Sequence, residues 1–570
     1  MSDAELDPVT LAVIRGRLEQ LVDEMDATLF RAAFSPVIAE ARDGSHGVYD
    51  TEGETVAMGK QGLPVFIGAM SYATKAAIAR AAADGGPKDG DLYLLNDPYV
   101  GATHLNDIKI VKPIFRRGAL FCYLASVGHW LDVGGNVPGN YNPTAIDIMQ
   151  EGVRIPPVRF AERGVVNRDI VDILLANGRL PGSNYGDLNA QLGALDLGTR
   201  RLHDLLDDFG DDVVAAAMAE ISHRASRQMR ALIAELPDGT YSFEDHIDND
   251  GRSDAPLKVA LDLTVAGETM RLDFSRSAPA CAGPLNVSRA TTIAASFVAL
   301  KHVFHEVPTS GGCLEPIEFV IPEGSILAAE PPSPVSGYTE NIMRTIDVIF
   351  GALSRAAPGR VNAACFATVN ALLMSGRRDD GARFILFTFF GGGLGGNPEG
   401  DGLSHGNAPI GMANIPPAEI LEAAYPACVT RWGLRQDSGG PGRHRGGLGA
   451  VYEFELLADA ADLVVFGERA RFPAFGILGG GAGAPNRIVY EQEDGERSPE
   501  GTAKLSGVTL RKGQRVRVES PGGGGYGAAR DRPVEAIARD LALGLVSAEA
   551  AERDYDVTTS ADGTVARPAG

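Results

Sequence analysis

The chain has 570 residues, of which 44% are hydrophobic and 22% charged. Because single hydrophobic cores stop growing at about 250–300 residues, this length predicts two or more domains. The formal net charge of −22 argues against nucleic acid and anionic membranes as partners, since phosphate binding depends on clusters of Lys and Arg.

Cysteine usage and hydropathy predict the compartment. The chain has five scattered cysteines and no Cys-x-x-Cys pair, which indicates reduced thiols and no disulfide framework. The N-terminus shows no basic segment followed by an apolar core, and no apolar run approaches the roughly 18–20 residues of a membrane-spanning helix. We therefore predict a soluble, cytoplasmic protein.

The first predicted element is a long amphipathic helix. Asp7-Pro8 is typical of a helix start, with Asp as the cap and Pro in the first turn. Apolar residues then recur at helical spacing from Leu11 to Leu29, which predicts about six turns. Residues 47–54 are typical of a hairpin turn between short strands, and an Ala-rich helix is predicted over residues 68–83.

Two predicted strands between residues 96 and 135 are flanked by histidines and carboxylates. Residues 108–115 and 119–127 are rich in apolar side chains and are separated by Arg-Arg-Gly at 116–118. Apolar runs on both sides of a Gly-containing turn predict a β-hairpin. The polar residues before the first strand and after the second then lie at the same end of that hairpin.

The register of this hairpin predicts which of the polar side chains meet. A hairpin closed around Arg117 places His129 opposite roughly Leu105, beside both His104 and Asp107. In an extended strand, residues three apart point to opposite faces. His104 and Asp107 can therefore share a ligand only if the Gly-containing segment before the strand is turned, which its composition favours.

The residues at this end of the hairpin match a metal site. Two neutral imidazoles with one or two carboxylates form a ligand set suited to Zn, Mn or Fe, with a position open for water or substrate. A loop histidine is also commonly a hydrogen-bonded surface group, and an Asp after a Gly-containing turn is commonly a turn former. Spacing alone leaves both interpretations open, and the hairpin register favours the metal.

The remaining elements predict an α+β fold with several β-rich segments and a helical middle region. Helical patterns cover residues 167–236, and strand signals return at Gly239, with residues 257–263 expected to pair with 268–274. The expected division is residues 1–165 as an N-terminal α/β region with the metal site, 166–237 as a helical segment, 238–375 as an α+β domain, 376–556 as a Gly-rich β domain with C-terminal helices (534–543 and 548–555), and 557–570 as a disordered tail.

The glycine clusters of the last third do not match a phosphate-binding loop. There is no G-x-x-x-x-G-K-[ST] motif, and no cluster lies between a parallel-type strand and a helix in Rossmann fashion. We also find no G-x-S-x-G elbow and no nucleophilic Cys–His pair. The chain is therefore not expected to bind ATP itself by a familiar route.

With these residues in view, the chain resembles the hydantoinase B / 5-oxoprolinase B-half family over about residues 5–556. The resemblance rests on a series of motifs in a specific order. They are Asn96-Asp97-Pro98-Tyr99, Thr103-His104-Leu105-Asn106-Asp107, Gly128-His129 through Gly134-Gly135, Gln150-Glu151-Gly152, Pro322-Glu323-Gly324-Ser325, Asp437-Ser438-Gly439-Gly440-Pro441-Gly442, Arg445-Gly446-Gly447-Leu448-Gly449 and Pro521 to Gly527.

The resemblance implies a B (beta) subunit that works with a hydantoinase A-type ATP-binding partner in a hetero-oligomer. The partner phosphorylates an amide or lactam oxygen, and water then opens the activated ring, so the enzyme is an ATP-dependent hydrolase of cyclic amide C–N bonds. The similar acetone and acetophenone carboxylases phosphorylate a ketone enol and bicarbonate and join them at a metal. A carboxylase subunit and a non-catalytic structural subunit are therefore the two alternatives.

The resemblance also implies the ligands of the metal. Relatives place them at His104 and His129, with a carboxylate from Asp107, Asp43 or both, and His104, His129 and Asp107 are the predicted catalytic residues. Asp43 comes from the resemblance alone. Because metal-bound histidines usually donate their other N–H to an acceptor, Asp132 is predicted to hold the tautomer of His129.

Three departures from the family pattern do not affect the predicted metal ligands, but they leave the identity of the substrate undetermined. Phe66 stands where many members have a histidine after Pro-Val. Asn106 replaces the usual proline before the HxxD aspartate, and Glu315-Pro316 replaces an Arg-Pro. The sequence therefore predicts a divalent metal in this chain and ATP in its partner, but not which ring is opened.

Overall fold

The computed structural model describes residues 6–407, 409–411, 414–560 and 564–567, with the backbone alone at residue 67. Over these residues no helix is both long and apolar enough to span a bilayer. The α-helices are α1 (Pro8–Ala32), α2 (Pro36–Ala39), α3 (Pro64–Ala83), α4 (Arg168–Asn177), α5 (Pro181–Phe209), α6 (Asp211–Ile233), α7 (Arg289–Val303), α8 (Tyr338–Leu353), α9 (Ala418–Ala424), α10 (Val534–Ala542) and α11 (Ala548–Tyr555).

The N-terminal helix confirms its predicted start. Oδ2 of Asp7 accepts a hydrogen bond of 2.9 Å from the amide of Thr10, which satisfies one of the free N–H groups of the first turn. The Ala-rich helix is also present, although it begins at Pro64 rather than at residue 68 because proline is well suited to the first turn.

An antiparallel sheet of seven strands carries the hairpin. Its order is β2-β1-β5-β4-β3-β6-β7. The strands are β1 (Gly44–Tyr49), β2 (Thr55–Met58), β3 (Leu92–Leu95), β4 (Asp107–Arg116), β5 (Ala119–His129), β6 (Val158–Glu162) and β7 (Val165–Val166). Alternate side chains enter two different cores, as the period of a strand requires. Val48 packs with residues of α1 and α5, whereas Tyr49 packs with residues of α3.

The register of the β4–β5 hairpin differs from the prediction. His129 lies opposite Asp107 and not opposite Leu105, so the predicted pairing is wrong. The turn has two residues, 117–118, both with positive φ, as in the tight turns that suit the twist of a hairpin. A β-bulge then leaves Phe121 unpaired on the return strand. The turn and the bulge together place His129 opposite Asp107, the first residue of β4.

A second sheet follows the helical middle region. It has the order β11-β10-β9-β8 and consists of β8 (Gly239–Ile247), β9 (Leu257–Ala266), β10 (Thr269–Asp273) and β11 (Ile317–Val320), with β11 parallel to β10. The predicted pairing of residues 257–263 with 268–274 is confirmed by the antiparallel β9–β10 ladder. Helix α8 packs on β8 and β9, and α7 packs between α8 and α3.

The last third contains two further sheets. Their orders are β13-β12-β16-β19 and β14-β15-β20-β17-β18. The strands are β12 (Ala371–Arg377), β13 (Arg383–Thr388), β14 (Ala427–Leu434), β15 (Ala450–Leu456), β16 (Ala460–Phe466), β17 (Arg487–Gln492), β18 (Gly495–Arg497), β19 (Lys504–Arg511) and β20 (Arg515–Glu519). The architecture confirms the α+β class and the β-rich character of this part.

The glycine clusters form closely packed loops between these sheets. The amide of Gly523 donates to the carbonyl of Gly447 at 3.0 Å, and the amide of Gly447 donates to the carbonyl of Leu394 at 2.8 Å. A Cβ added to Gly393 would lie 1.8 Å from the carbonyl oxygen of Gly447. Such approach of one backbone to another requires glycine, which explains the composition without a phosphate ligand.

Packing crosses two of the predicted boundaries. Helix α5, in the segment predicted as a separate helical region, packs on α1 and β5, and Leu195 shares a core with Leu124 of the sheet. Within the predicted tail, strands β21 (Thr558–Thr559) and β22 (Val565–Ala566) pair antiparallel, and Arg567 donates to the carbonyl of Tyr555. Residues 561–563 and 568–570 of that tail lie outside the described residues. All five cysteines are free, as predicted.

Candidate metal centre

Three strand ends position the predicted site residues. Asp107 begins β4, His129 ends β5, and Asp43 directly precedes β1, which pairs with β5. The amide of His129 donates to the carbonyl of Asp43 at 3.1 Å, so pairing between β1 and β5 continues to the edge of the site. The sheet therefore brings a residue from a distant part of the sequence beside the hairpin.

The segment before β4 is turned, as the sharing of a ligand by His104 and Asp107 requires. Gly101 has φ +132°, and a Cβ there would lie 2.3 Å from the amide nitrogen of Ala73 in α3. Buried Lys109 donates to the carbonyl of Gly101 at 2.7 Å. The turn places Nδ1 of His104 2.8 Å from Oδ2 of Asp107.

The structure brings His104, Asp107 and His129 into one buried cluster. One potential ligand atom from each lies within 4.8 Å of the others. Nδ1 of His129 is 3.5 Å from Oδ1 of Asp107 and 3.8 Å from Oδ2 of Asp43. Asp43 therefore adjoins the cluster on the His129 side, and its side chain is the most exposed of the four, at 14%.

Unpartnered atoms support a metal at this cluster. Nε2 of His104, Oδ1 of Asp107 and Oδ1 of Asp43 are buried without a hydrogen-bond partner. Buried polar atoms in proteins are nearly always paired, so these three atoms are available to bind a metal ion. Two imidazoles and one or two carboxylates fit Zn, Mn or Fe.

The two carboxylates differ in their electrostatics. Burial raises the pKa of Asp43 to about 6, although the charge of His129 opposes this. Burial also disfavours the charged form of Asp107, but the charges and hydrogen bonds of His104 and His129 outweigh it and hold the pKa of Asp107 well below its ordinary value. Asp107 is thus the carboxylate that stays ionised across the neutral range.

Asp132 does not have its predicted role. Its Oδ1 accepts hydrogen bonds from the amides of Gly134 and Arg179, and its Oδ2 accepts from the amide of Gly139 and from Nη1 of Arg179, at 2.8–3.1 Å. Both carboxylate oxygens therefore bind the loop after β5 and the end of α4 rather than His129. The prediction of Asp132 as the acceptor for His129 is wrong, because the loop turns this side chain away.

Asn106 joins the two strand ends. Its carbonyl accepts from the amide of Trp130 at 2.9 Å, and its Nδ2 donates to the carbonyl of Trp130 at 2.8 Å and to Oδ1 of Asn140 at 3.1 Å. These hydrogen bonds hold the ends of β4 and β5 together at the site. Phe66 is fully buried beneath Lys109.

Aromatic rings that sequence reasoning missed surround the two histidines. The ring of His129 stacks on Phe387 with centroids 5.7 Å apart, and Phe387 stacks on Tyr141 at 5.2 Å. The ring of His104 lies 4.8 Å from that of Tyr338. Burial raises the pKa of both tyrosines well above 10, so both hydroxyls stay protonated. No local signal identified these residues, because they come from three distant segments.

A small cavity of about 40 Å³ adjoins Asp43. Such a space holds roughly three water molecules. Its wall includes Leu63, Val65, Tyr141, Tyr338, Phe387 and Phe389, which come from the entry to α3, the loop after β5, the start of α8 and the end of β13. Asp43 therefore joins a mainly apolar cavity to the cluster of His104, Asp107 and His129, which do not themselves line it.

Comparison with known proteins identifies the family. The family model described as hydantoinase B/oxoprolinase matches residues 7–529. The chain belongs to the hydantoinase B/oxoprolinase family. One relative in this family is the caprolactamase subunit beta of Pseudomonas jessenii, which is 33% identical over 578 residues covering 98% of this chain and 97% of that one.

Solved structures agree with this assignment. The ATP-dependent caprolactamase of Pseudomonas jessenii superimposes with a TM-score of 0.89 at 32% identity and covers 98% of both chains. An acetone carboxylase in nucleotide-free form superimposes with a TM-score of 0.92 at 20% identity, covering 98% of this chain and 81% of that chain, which shows a shared fold. The hydantoinase B/oxoprolinase fold thus extends over nearly all of the present chain.

Proposed function

We propose that this chain is the metal-binding B subunit of an ATP-dependent cyclic amidase, which opens a phosphorylated hydantoin, lactam or oxoproline ring together with a hydantoinase A-type partner. The observation that carries the proposal is the buried cluster of His104, Asp107 and His129, with Asp43 beside it and unpartnered ligand atoms at the end of a cavity. A metal site next to a mainly apolar cavity is a common arrangement for hydrolysis.

The relatives support separate roles for this chain and its A-type partner. The name of the caprolactamase relative identifies a beta subunit of an enzyme that acts on a cyclic amide. The present chain has no phosphate-binding loop motif, and its glycine clusters are used in backbone packing. ATP is therefore assigned to the A-type partner, which activates the amide oxygen, and ring opening by water is assigned to the site described above.

The chain's own residues prepare this site for chemistry. At such a cluster, a divalent ion supplies Lewis acidity and a bound water of lowered pKa. Asp107 contributes a permanent negative charge, and its Oδ2 orients the ring of His104 through Nδ1 so that Nε2 remains free. The stacked rings of Tyr141 and Phe387 exclude bulk water from the other side of His129.

The test is reconstitution of the chain with its A-type partner and ATP. Hydantoin, 5-oxoproline and simple lactams are offered in turn, and the ring-opened acid and ADP are measured by mass spectrometry. Coupled formation of both products, lost in the His104→Ala/His129→Ala variant and retained in the exposed-histidine control His223→Ala, supports the proposal.

Two other outcomes would replace it. Bicarbonate-dependent consumption of a ketone, with no ring opening, would identify the chain as a carboxylase subunit. Full ring-opening activity in the His104→Ala/His129→Ala variant would identify it as a structural subunit, with the chemistry in the partner.

A further inference from the structure

The cavity beside Asp43 is uncharged apart from that residue. Its other described wall residues carry aliphatic or aromatic side chains, together with Thr339, Asn407 and Gly411. No lysine or arginine is among these described wall residues. A negatively charged substituent would therefore find no counter-charge on this wall.

Lys109, a buried cation of β4, is already engaged in a hydrogen bond. Nζ of Lys109 donates to the carbonyl of Gly101 at 2.7 Å and lies 6.0 Å from the centre of the Phe66 ring. Lys109 holds the turn that carries His104, and it is not among the residues that border the cavity. Moving it toward a ligand would break that hydrogen bond and leave a buried carbonyl unpaired, which is costly.

The shape of the wall favours a ring with an unbroken apolar face. The rings of Tyr141 and Phe387 are parallel within 14°, with centroids 5.2 Å apart. The ring centroids of Phe387 and Phe389 are 6.0 Å apart. Val369 and Ile410 complete the aliphatic part of the wall. Ligand sites usually combine such an apolar surface with a few polar groups that fix orientation, and here Asp43 joins the cavity to the histidine cluster.

We propose, on the basis of the proposed function, that the substrate is an uncharged cyclic amide with an apolar ring, and that the same ring bearing a carboxylate is excluded. The amide end faces Asp43 and the histidine cluster, and the methylene part contacts the aromatic wall. A carboxylate on that part would lose hydration without gaining a positively charged partner, which disfavours its binding.

Entry of the ring requires some rearrangement of the wall. The described cavity of about 40 Å³ holds only a few waters, and a lactam is larger. The ring must therefore displace that water and shift at least one wall side chain. Displacement of weakly held water by the apolar face of the ring favours binding, whereas a carboxylate on the ring must in addition lose its own hydration.

The experiment compares two compounds that differ only in the carboxylate, 2-piperidone and 6-oxopiperidine-2-carboxylate. Binding of each to the full-length, metal-loaded chain is measured by saturation-transfer NMR with titration. We expect 2-piperidone to bind at least about tenfold more tightly than the carboxylate. Equal or tighter binding of the carboxylate, or transfer to neither compound, would overturn the inference.

A matched pair of variants tests the wall directly. Phe389→Lys introduces a cation at the cavity, and Phe389→Met is the uncharged control of similar length. The Lys variant should bind the carboxylate at least about tenfold more tightly than the Met variant does. If Phe389→Lys fails to fold, the comparison of the two ligands on the wild-type chain still decides the question.

Different experimental results would contradict the inferred substrate class and the proposed function. Selective binding of 2-piperidone without ring opening by the reconstituted complex with ATP would contradict the proposed function and leave the ligand class standing. Ring opening of 6-oxopiperidine-2-carboxylate at a kcat/KM equal to that of 2-piperidone would support the amidase and contradict the inferred substrate class.

Discussion

Asp107 and His129 are partners across the β4–β5 hairpin, and Oδ1 of Asp107 lies 3.5 Å from Nδ1 of His129. Both side chains are almost completely buried. The pairing depends on one turn geometry and one β-bulge, so the hairpin determines which carboxylate meets the histidine. It also leaves Oδ1 of Asp107 without a protein donor within hydrogen-bonding geometry.

Removal of His129 should abolish metal binding without unfolding the chain. The His129→Ala variant loses one of the two imidazoles and leaves a single nitrogen ligand beside the carboxylates, which weakens a site suited to Zn, Mn or Fe. Plasma mass spectrometry of protein purified without chelator should show metal in the wild type and in His223→Ala, and none in His129→Ala. Full metal occupancy of a folded His129→Ala protein would eliminate this residue as a ligand.

The two carboxylates should differ in their contribution to metal affinity. Asp107 lies between both histidines, whereas Asp43 adjoins only His129. Loss of a residue that only hydrogen-bonds to a metal ligand weakens metal affinity by roughly 10–100-fold. Asp43→Asn should weaken metal affinity by an amount in this range, and Asp107→Asn should weaken it by more. Isothermal titration of the metal-free variants measures both, and the reverse order would identify Asp43 as the principal carboxylate.

Loss of Asp132 should destabilise the protein but leave the metal in place. Asp132→Ala removes the acceptor for three backbone amides and for Arg179, and unpaired buried donors cost about 3 kcal/mol or more in total. Denaturant unfolding measures the loss. The exposed ion-pair variant Asp207→Ala should change stability by less than about 1 kcal/mol. Metal loss in the folded Asp132→Ala variant would instead support the predicted role of Asp132 as the acceptor for His129.

Stability should fall as the pH rises because of Glu340. This side chain in α8 is fully buried, and burial together with the charge of Glu468 raises its pKa from 4.5 to about 8. The folded chain therefore holds the proton more tightly than the unfolded chain. The resulting stabilisation is complete below about pH 4.5 and is lost as the pH rises through about 8.

The Glu340→Gln variant isolates this effect. Gln is neutral at every pH, so the variant should resemble the wild type near pH 5 and exceed its free energy of unfolding by a few kcal/mol at about pH 9. Thermal unfolding across this range provides the measurement. Parallel pH profiles for the two proteins would show that Glu340 does not titrate in the folded state.

Glycine should be required where the loops of the last third meet. In Gly393→Ala the new Cβ would lie 1.8 Å from the carbonyl of Gly447, so the two backbones must separate, at a cost of about 3 kcal/mol or more. Gly400→Ala is the control, because nothing lies within 4 Å of its added Cβ. That variant should stay within about 1 kcal/mol of the wild type. Equal stability of the two variants would contradict the close packing.

The sequence alone determined the local elements. The cap and apolar spacing of α1 and the two strands on either side of residues 117–118 are encoded by neighbouring residues, so their contacts form within short stretches. The same local pattern identified His104, Asp107 and His129 as one candidate cluster. The family motifs then added Asp43, which no spacing within the hairpin could have shown.

Only the tertiary structure decided how these side chains meet. The bulge at Phe121 shifted the register of the hairpin, and the β1–β5 pairing brought Asp43 to the cluster. Arg179 binds the carboxylate of Asp132, which was predicted to bind His129. Tyr141, Tyr338 and Phe387 entered from distant segments to form the aromatic wall. These contacts join residues far apart in the chain, and they form only when the sheets and helices pack, so no local pattern of residues encodes them.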